Sequence, residues 1–395
     1  MFVIFKFLGN EPIENVISCI NFEIGKVIYF GYKDVIQKQS VPTEKFLLNH
    51  CGVKKVEFIE TPEYDLDTVL KIMRDRIQRE TGGGNNIFFD VTNAEGTVMM
   101  AFGRLSELFG IPVHAFDIEK NTLFSISGKE KTIEEIVPKR RIELNLDMYV
   151  ELFGGCIKDS MHKDYKEDSD WASDEDINSL WEIQKRYIEL WNPFSDFIRK
   201  FFIPDEGLFV SKNENVIFEK LNNSVTQLDT VDELDAILFD LASAGLLLGK
   251  IHADGRYDFS FKNEKIKDML WESGSVLELH AFRQESAVSD DCRVGVFLDW
   301  DGVIQPRTDE DVLNEIDIMA LRGNIPVFIS CKSGKMDTKT ALFSLYELQA
   351  VSEKFGGKYA KKILTTVQPI PNSNLLRAKE MGIEVREMNG GNFAD

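Results

Sequence analysis

The spacing of apolar positions changes twice along the chain, and each change marks a new kind of architecture. Up to about residue 125, short runs rich in β-branched and aromatic residues (2–7, 27–32, 56–60, 86–92 and 113–118) read as strands. Between them, 61–79 and 95–109 carry helical spacing, the first with Thr61 as N-cap and Pro62 at the first helical position. Strands alternating with helices predict a parallel sheet wrapped by helices, with ligands bound beyond the carboxyl ends of its strands.

Val137-Pro-Lys-Arg-Arg141 breaks this rhythm, and the chain to about residue 263 reads as mainly helical and charged. Here 233–248 is an amphipathic helix and 249–261 a hairpin turning at Asp254-Gly255, a winged-helix-like order or a connector without nucleic-acid contacts. From Glu264 the order becomes a helix over 265–284 broken near Gly274, strands at 292–300, 314–321 and 325–332, a helix over 338–355 and a last strand at 363–367. The chain is thus read as α/β in three parts: a Rossmann-like unit over 1–136, a helical and winged-helix-like connector over 137–263, and a second α/β unit over 264–395.

Composition narrows the function. With 46 Lys and Arg against 66 Asp and Glu, the net charge of −20 excludes a protein that coats nucleic acid with its whole surface, though not a local basic groove. Negative charge is concentrated in segments such as 166–176, which reads as a solvated linker or loop. No apolar stretch approaches the roughly 20 residues of a membrane span, and the start lacks a signal peptide, so a cytoplasmic protein without membrane contact is expected. Cys19, Cys51, Cys156, Cys292 and Cys331 are odd in number and scattered, as reduced thiols are. There is no HExxH, GxSxG, CxxC or GxGxxG motif. Asp299 and Asp301 resemble a phosphatase aspartate pair, but the hairpin that follows is wrong for that fold, and strand-end roles are expected.

The densest chemistry lies around Gly323-Asn324. If these form a two-residue turn, Arg322 pairs with Ile325, Asp317 faces Ser330 and Glu315 faces Lys332. Glu315, Asp317, Ser330 and Lys332 then share one face, and Ile316, Ile318, Ala320, Val327, Ile329 and Cys331 the other. Carboxylates beside a lysine suit a metal-assisted phosphodiester hydrolase: Asp317 and the Cys331 carbonyl as ligands of magnesium or manganese, Lys332 orienting water or offsetting phosphate charge. A surface salt-bridge cluster is the alternative. Lys354, Lys358, Lys361 and Lys362 around Phe355-Gly-Gly357 suit substrate phosphates, or equally a solvated helix end. In the first unit, Thr92, Asn93, Gly96 and Thr97 form a polar turn opening a helix whose free amides favour an anion, and Leu8, Gly9 and Asn10 lie at the same sheet edge. An ordinary capped turn would look the same.

Asn314-Glu-Ile-Asp317, Pro326-Val-Phe-Ile-Ser-Cys-Lys332, Leu345-Tyr-Glu-Leu348 and Phe355-Gly-Gly357 resemble the PD-(D/E)xK nuclease superfamily. Within it, the chain resembles the CRISPR-associated ancillary endonucleases of the Card/Can type, which carry an N-terminal CARF (CRISPR-associated Rossmann-fold) domain. The resemblance implies that Gly274-Ser-Val-Leu-Glu278 carries a metal-binding glutamate, Glu278, with Val276 in the place of an aromatic residue. It also implies that residues 92–98 are the CARF ligand turn, with Val98 where a lysine is usual. Ser330 stands where the superfamily has an acid two residues before the lysine. The implied activity is cleavage of single-stranded DNA or RNA, or nicking of duplex DNA, switched on by a cyclic oligoadenylate, with cyclic tetra-adenylate the expected ring. A twofold ring suits a homodimer. Ser330 leaves open a second reading, a ligand-responsive regulator with a degenerate nuclease.

Overall fold

The computed structural model describes residues 1–127, 133–158, 173–223, 228, 230–253, 255–303 and 313–388. The acidic run through residue 172 and Asp254 lie outside them. The first unit comprises β1 (Phe2–Phe7), α1 (Pro12–Asn21), β2 (Lys26–Gly31), α2 (Lys33–His50), β3 (Lys55–Glu60), α3 (Leu66–Gly82), β4 (Asn86–Asp90), α4 (Gly96–Phe109), β5 (Val113–Asp117), β6 (Thr122–Ser127) and α5 (Ile133–Ile136). Its sheet has the order β3-β2-β1-β4-β5-β6, parallel except for β6, as the alternating pattern requires. Two expectations change. β6 adds an antiparallel edge, and α3 starts at Leu66 under the cap of Asp65, which accepts from the Thr68 N–H at 3.0 Å. Thr61 is not the cap because its hydroxyl donates to the Gly31 carbonyl of β2 at 3.3 Å.

Next come α6 (Leu146–Leu152) and β7 (Cys156–Lys158), then α7 (Asp174–Arg186), α8 (Trp191–Phe201), β8 (Phe209–Asn213), α9 (Glu214–Asn223), α10 (Val231–Ser243), β9 (Leu247–Ala253) and β10 (Arg256–Phe261). β8, β10 and β9 form a small antiparallel sheet against these helices, so the expected helix-to-hairpin succession is present. The helix ends at Ser243, five residues before the apolar pattern does, because Leu247 and Leu248 already belong to β9. The final unit is α11 (Glu264–Trp271), α12 (Ser275–Ser286), β11 (Asp291–Asp299), β12 (Leu313–Arg322), β13 (Ile325–Lys332), α13 (Thr338–Gly356), β14 (Lys361–Thr366), α14 (Asn372–Glu380) and β15 (Ile383–Glu387). Its sheet runs β15-β14-β13-β12-β11-β7, and β7 reaches it from the stretch before the central helices. Among the described residues no helix is long and apolar enough to cross a membrane.

Three apolar clusters hold these layers. One lies between the first sheet and α3 and α4. A second joins α1, α2 and α6 to one face of the last sheet and α13, so the first and last units share a core. The third joins the central helices, α11 and α12 to the other face. Both faces of the last sheet are therefore covered, and its inner strand β13 is buried at every position from Ile325 to Cys331.

At the carboxyl edge of the first sheet sits a buried pair of charges. Asp90 is fully buried, paired with the equally buried Lys6, accepts from Ser18 Oγ at 2.5 Å and from the Thr92 N–H at 2.9 Å, and lies 3.8 Å from His114 Nε2. Burial pushes its carboxyl up, but Lys6, His114 and the Lys6 and Ser18 hydrogen bonds outweigh burial and hold it below the usual range. Asp90→Asn should strand the Lys6 ammonium and cost about 3–5 kcal/mol in urea unfolding followed through this unit, whereas removing both charges with Lys6→Met and Asp90→Leu should cost far less. The Asp90 contribution is full above its unfolded pKa of about 3.9 and fades as pH falls toward the lower folded value, so Asp90→Asn should flatten the acid limb of the stability profile. Equal stability of Asp90→Asn and wild type would show that the pair is not structural.

Candidate active site and ligand-binding edge

The hairpin forms in the expected register. Arg322 pairs with Ile325, and the pairing runs down to Ile318 with Ile329. On a regular ladder the next bonded pair would be Ile316 with Cys331. Instead the Cys331 N–H donates to Asp317 Oδ2 at 2.6 Å, so a carboxylate takes the place of a strand carbonyl and the two strands part. Ser330 Oγ donates to the same oxygen at 3.1 Å, and Lys332 Nζ lies 3.7 Å from it. Asp317, Ser330 and Lys332 thus meet as expected.

The packing of the two faces differs from the expectation. Cys292, Val294, Ile318 and Ala320 join the core on the α12 side, but Val296 and Ile316 join the opposite one. The inward direction switches between the rungs Val294–Ile318 and Val296–Ile316, at Gly295, whose φ is +61°. On the side of Ser330, moreover, Phe328 is buried, so polarity is confined to the open end of the hairpin.

Glu278 comes from the first turn of α12. Burial pushes its carboxyl up to about 8, helped by the charges of Asp317 and Glu315 and opposed by Lys332. A partly buried carboxylate near two others is short of positive charge. Glu278, Asp317 and the Cys331 carbonyl form an all-oxygen donor set suited to a hard divalent cation. Among the described residues, however, no three His, Cys, Asp or Glu side chains converge into a metal cage. The Cys331 thiol itself is buried in apolar surroundings that push its pKa far up, which leaves only its backbone oxygen for such a role.

The four lysines lie elsewhere. Lys361 pairs with Val327 and Thr366 with Lys332, so Lys361 and Lys362 start β14 at the end of the sheet away from Lys332. Lys362 Nζ donates to the Met381 carbonyl at 2.5 Å, Lys354 Nζ lies 5.9 Å over the Trp300 ring, and Lys358 Nζ pairs with Glu14 of the first unit at 2.9 Å. Asp299 accepts from the Gly302 N–H at 2.7 Å, a strand-end turn as expected. His280 is stacked on Trp181 at 4.6 Å, and burial lowers its pKa to about 4.

In the first unit, β1 and β4 are adjacent and parallel, so residues 8–10 and 92–97 leave the same sheet edge. Leu8 is buried in the core and its N–H donates to Phe30, which leaves only its carbonyl for a ligand. The Gly9 N–H and carbonyl both bond to the Asn15 amide at 3.0 Å, and the Asn93 amide lies 2.7 Å from Asn15. The Thr92 hydroxyl donates to Asp90 and accepts from the Phe116 N–H, while Thr97 Oγ1 donates to the Glu63 carbonyl at 3.0 Å. No side chain caps α4, whose first turn holds no acid. Gly96 has φ +53°, and a Cβ there would lie 3.0 Å from the Tyr32 hydroxyl, so any larger residue strains the backbone as well as the space above it. Asn15 and Tyr32 were not expected here, because no spacing links them to residues 92–97.

Residues 270–390 match the Card1-like, endonuclease domain family and carry such a domain, which includes Glu278, Asp317, Ser330 and Lys332. Nearly the whole chain shares its fold with protein VC1899 from Vibrio cholerae (TM-score 0.68, 15% identity, 98% of this chain and 94% of that one). It also matches Can2 from Sulfobacillus thermosulfidooxidans, solved in complex with cyclic tetra-adenylate (TM-score 0.65, 14% identity, 98% and 96%). A third match is a type III CRISPR defence DNA nuclease activated by cyclic oligoadenylate (TM-score 0.52, 14% identity, 99% of this chain but 48% of that one). No curated protein matches.

Ser330 is 7% exposed with its hydroxyl on Asp317, so Ser330→Glu would press a second carboxylate against the first. That variant should melt several degrees below wild type in chelator and regain most of the loss in manganese, because a cation relieves the repulsion. A melting temperature insensitive to manganese would remove these groups from any metal site.

Proposed function

We propose that this chain is a cytoplasmic, metal-dependent endonuclease of the PD-(D/E)xK type, held in check until a cyclic oligoadenylate binds its N-terminal, CARF-like unit. The observation that carries the reading is the Asp317–Lys332 pair at the parted end of the hairpin, inside the stretch that matches an endonuclease family. Glu278, Asp317 and the Cys331 carbonyl would hold magnesium or manganese, which when bound supplies Lewis acidity and a water of low pKa. Lys332 orients the attacking water and offsets the negative charge that develops on the phosphate. Ser330 steadies Asp317 through its hydroxyl. The substrate is single-stranded DNA or RNA, or duplex DNA that is nicked, and the setting is type III CRISPR defence.

For the sensing half, the support is an uncapped helix start beside two polar turns on one sheet edge, and the likeness in fold to a protein solved with cyclic tetra-adenylate. A ring of twofold symmetry calls for two copies of that edge across one axis. A fitting surface begins within the first turn of α4. Met99 and Met100 are 40% and 61% exposed, and Phe124 and Ile126 of the edge strand β6 are 46% and 59% exposed. Phe124 pairs with Ala115, which packs toward the α3–α4 core, so this apolar strip lies on the α4 side of the sheet. We assign it to the homodimer contact, with Leu8, Gly9, Asn10, Thr92, Asn93, Gly96 and Thr97 around the axis. Ser330 favours a second reading, a sensor whose nuclease has lost metal affinity.

Cleavage of labelled single-stranded DNA, RNA and plasmid should require both cyclic tetra-adenylate and a divalent metal. Asp317→Ala and Lys332→Ala should each lower it by about 100-fold or more while activator affinity stays unchanged. Cutting that is equal with and without every cyclic oligoadenylate tested would end the gating claim, and cutting in excess chelator would end the metal claim. A wild type that binds activator yet never cuts, beside a Ser330→Glu variant that does, would establish the second reading.

Met100→Asp combined with Phe124→Asp should turn a dimer into a monomer in sedimentation and weaken activator binding at least tenfold. A dimer that survives both charges would place the contact elsewhere.

A further inference from the structure

The turn after β1 leads straight into a contact with the nuclease unit. Glu11 follows Asn10 and stands at the N-cap of α1 without capping it. Its Oε2 instead accepts from the Lys358 N–H at 3.1 Å, across the boundary between units. One turn on, the buried Glu14 accepts from Lys358 Nζ at 2.9 Å and from the Tyr359 hydroxyl at 2.7 Å. The fit is close: a Cβ on Gly357 would lie 2.1 Å from Glu11 Oε1. That oxygen is buried with no hydrogen-bond partner, so the contact is incompletely satisfied as it stands.

Residues 357–359 form the reversal between α13 and β14, and both elements run from there to the catalytic end of the sheet. α13 has 19 residues, a rod on the order of 28 Å at 1.5 Å per residue, and its first turn follows Lys332 by six residues. β14 ends at Thr366, the partner of Lys332. A shift at the reversal therefore reaches the site through two rigid elements at once.

We propose that Glu11 and Glu14 are positioning residues that form a latch on Gly357, Lys358 and Tyr359, through which ligand at Gly9–Asn10 sets the geometry around Lys332. This rests on the reading of the chain as a ligand-gated nuclease and names the contact that carries the gating. The latch lies outside both the ligand turn and the hairpin, so disturbing it should alter the coupling between two otherwise intact sites.

The test uses the full-length protein with Glu14→Gln, Tyr359→Phe and the two combined. Tyr359→Phe removes only the hydroxyl that Glu14 accepts. For each protein, cyclic tetra-adenylate binding, cleavage with and without it, and amide hydrogen exchange over residues 357–366 are measured. Each single variant should bind activator within threefold of wild type, keep basal cleavage and thermal stability, and lose at least fivefold in the ratio of activated to basal cleavage. The activator-induced change in exchange at 357–366 should shrink with it, and the double variant should be no worse than the more affected single one. Variants that keep both the ratio and the exchange response within twofold of wild type overturn the latch. A wild type that binds activator without cutting refutes the nuclease reading alone, and the exchange response then decides the latch. A wild type that binds no cyclic oligoadenylate overturns the sensor and the latch together.

Discussion

The last sheet buries both of its faces, and different parts of the chain cover them. On one side α11, α12 and the central helices form an apolar layer with Ile318, Val327 and Ile329. On the other, Val296, Leu298, Ile316 and Phe328 share one apolar cluster with α13 and α6 and, beyond α6, with α2 and α1. The same cluster therefore holds the inner face of the first sheet and one face of the last. Separating the two units would expose apolar surface at roughly 25 cal/mol per Å², so they are coupled by packing before any polar contact is counted. At the open end of the hairpin that packing gives way to Asp317, Ser330 and Lys332.

Charge is treated differently at the two functional edges. Asp90 lies deep within the first unit, but Lys6 neutralises it and Ser18 and Thr92 satisfy its oxygens, so it acts as a fixed post from which the turn at 92–97 is hung. Glu278 has its carboxyl raised first by burial and then by neighbouring carboxylates, which Lys332 opposes. A charge matched inside the chain builds structure, whereas one left short of a counterion has an unmet need that a bound cation can satisfy.

Much of this was legible in the order of residues. The hairpin register followed from one dipeptide, Gly323-Asn324, because a two-residue turn admits little freedom, and it brought Asp317 to Ser330 without reference to any other protein. The parallel strands of the first sheet followed from β-branched runs between helical ones. What escaped was set by contacts distant in sequence. The helix pattern over 233–248 ran on into β9 because apolar residues suit both a helix face and a buried strand. α14 and β15 lack a marked apolar period. Gly295 in mid-strand was a usable sign of irregularity and explains why Ile316 faces away from Ile318. The lysines around Phe355 looked like one basic group, but α13 ends there against the first unit, and Lys358, Lys354 and Lys362 turn to Glu14, the Trp300 ring and the Met381 carbonyl.

Among the described residues, β7 is the one strand of the last sheet that comes from before the central helices. Its three residues pair with Phe297, Leu298 and Asp299 and close the edge of a sheet whose other strands all come later in the chain. A fragment that began at α11 would keep every catalytic candidate but leave the rim of β11 with unpaired backbone groups beside a bared apolar face. Such an edge invites strand addition from another molecule, so the excised nuclease half would be prone to aggregate. Expression of the catalytic half alone therefore calls for a start upstream of Leu146, or for β7 grafted back onto β11 by a short loop.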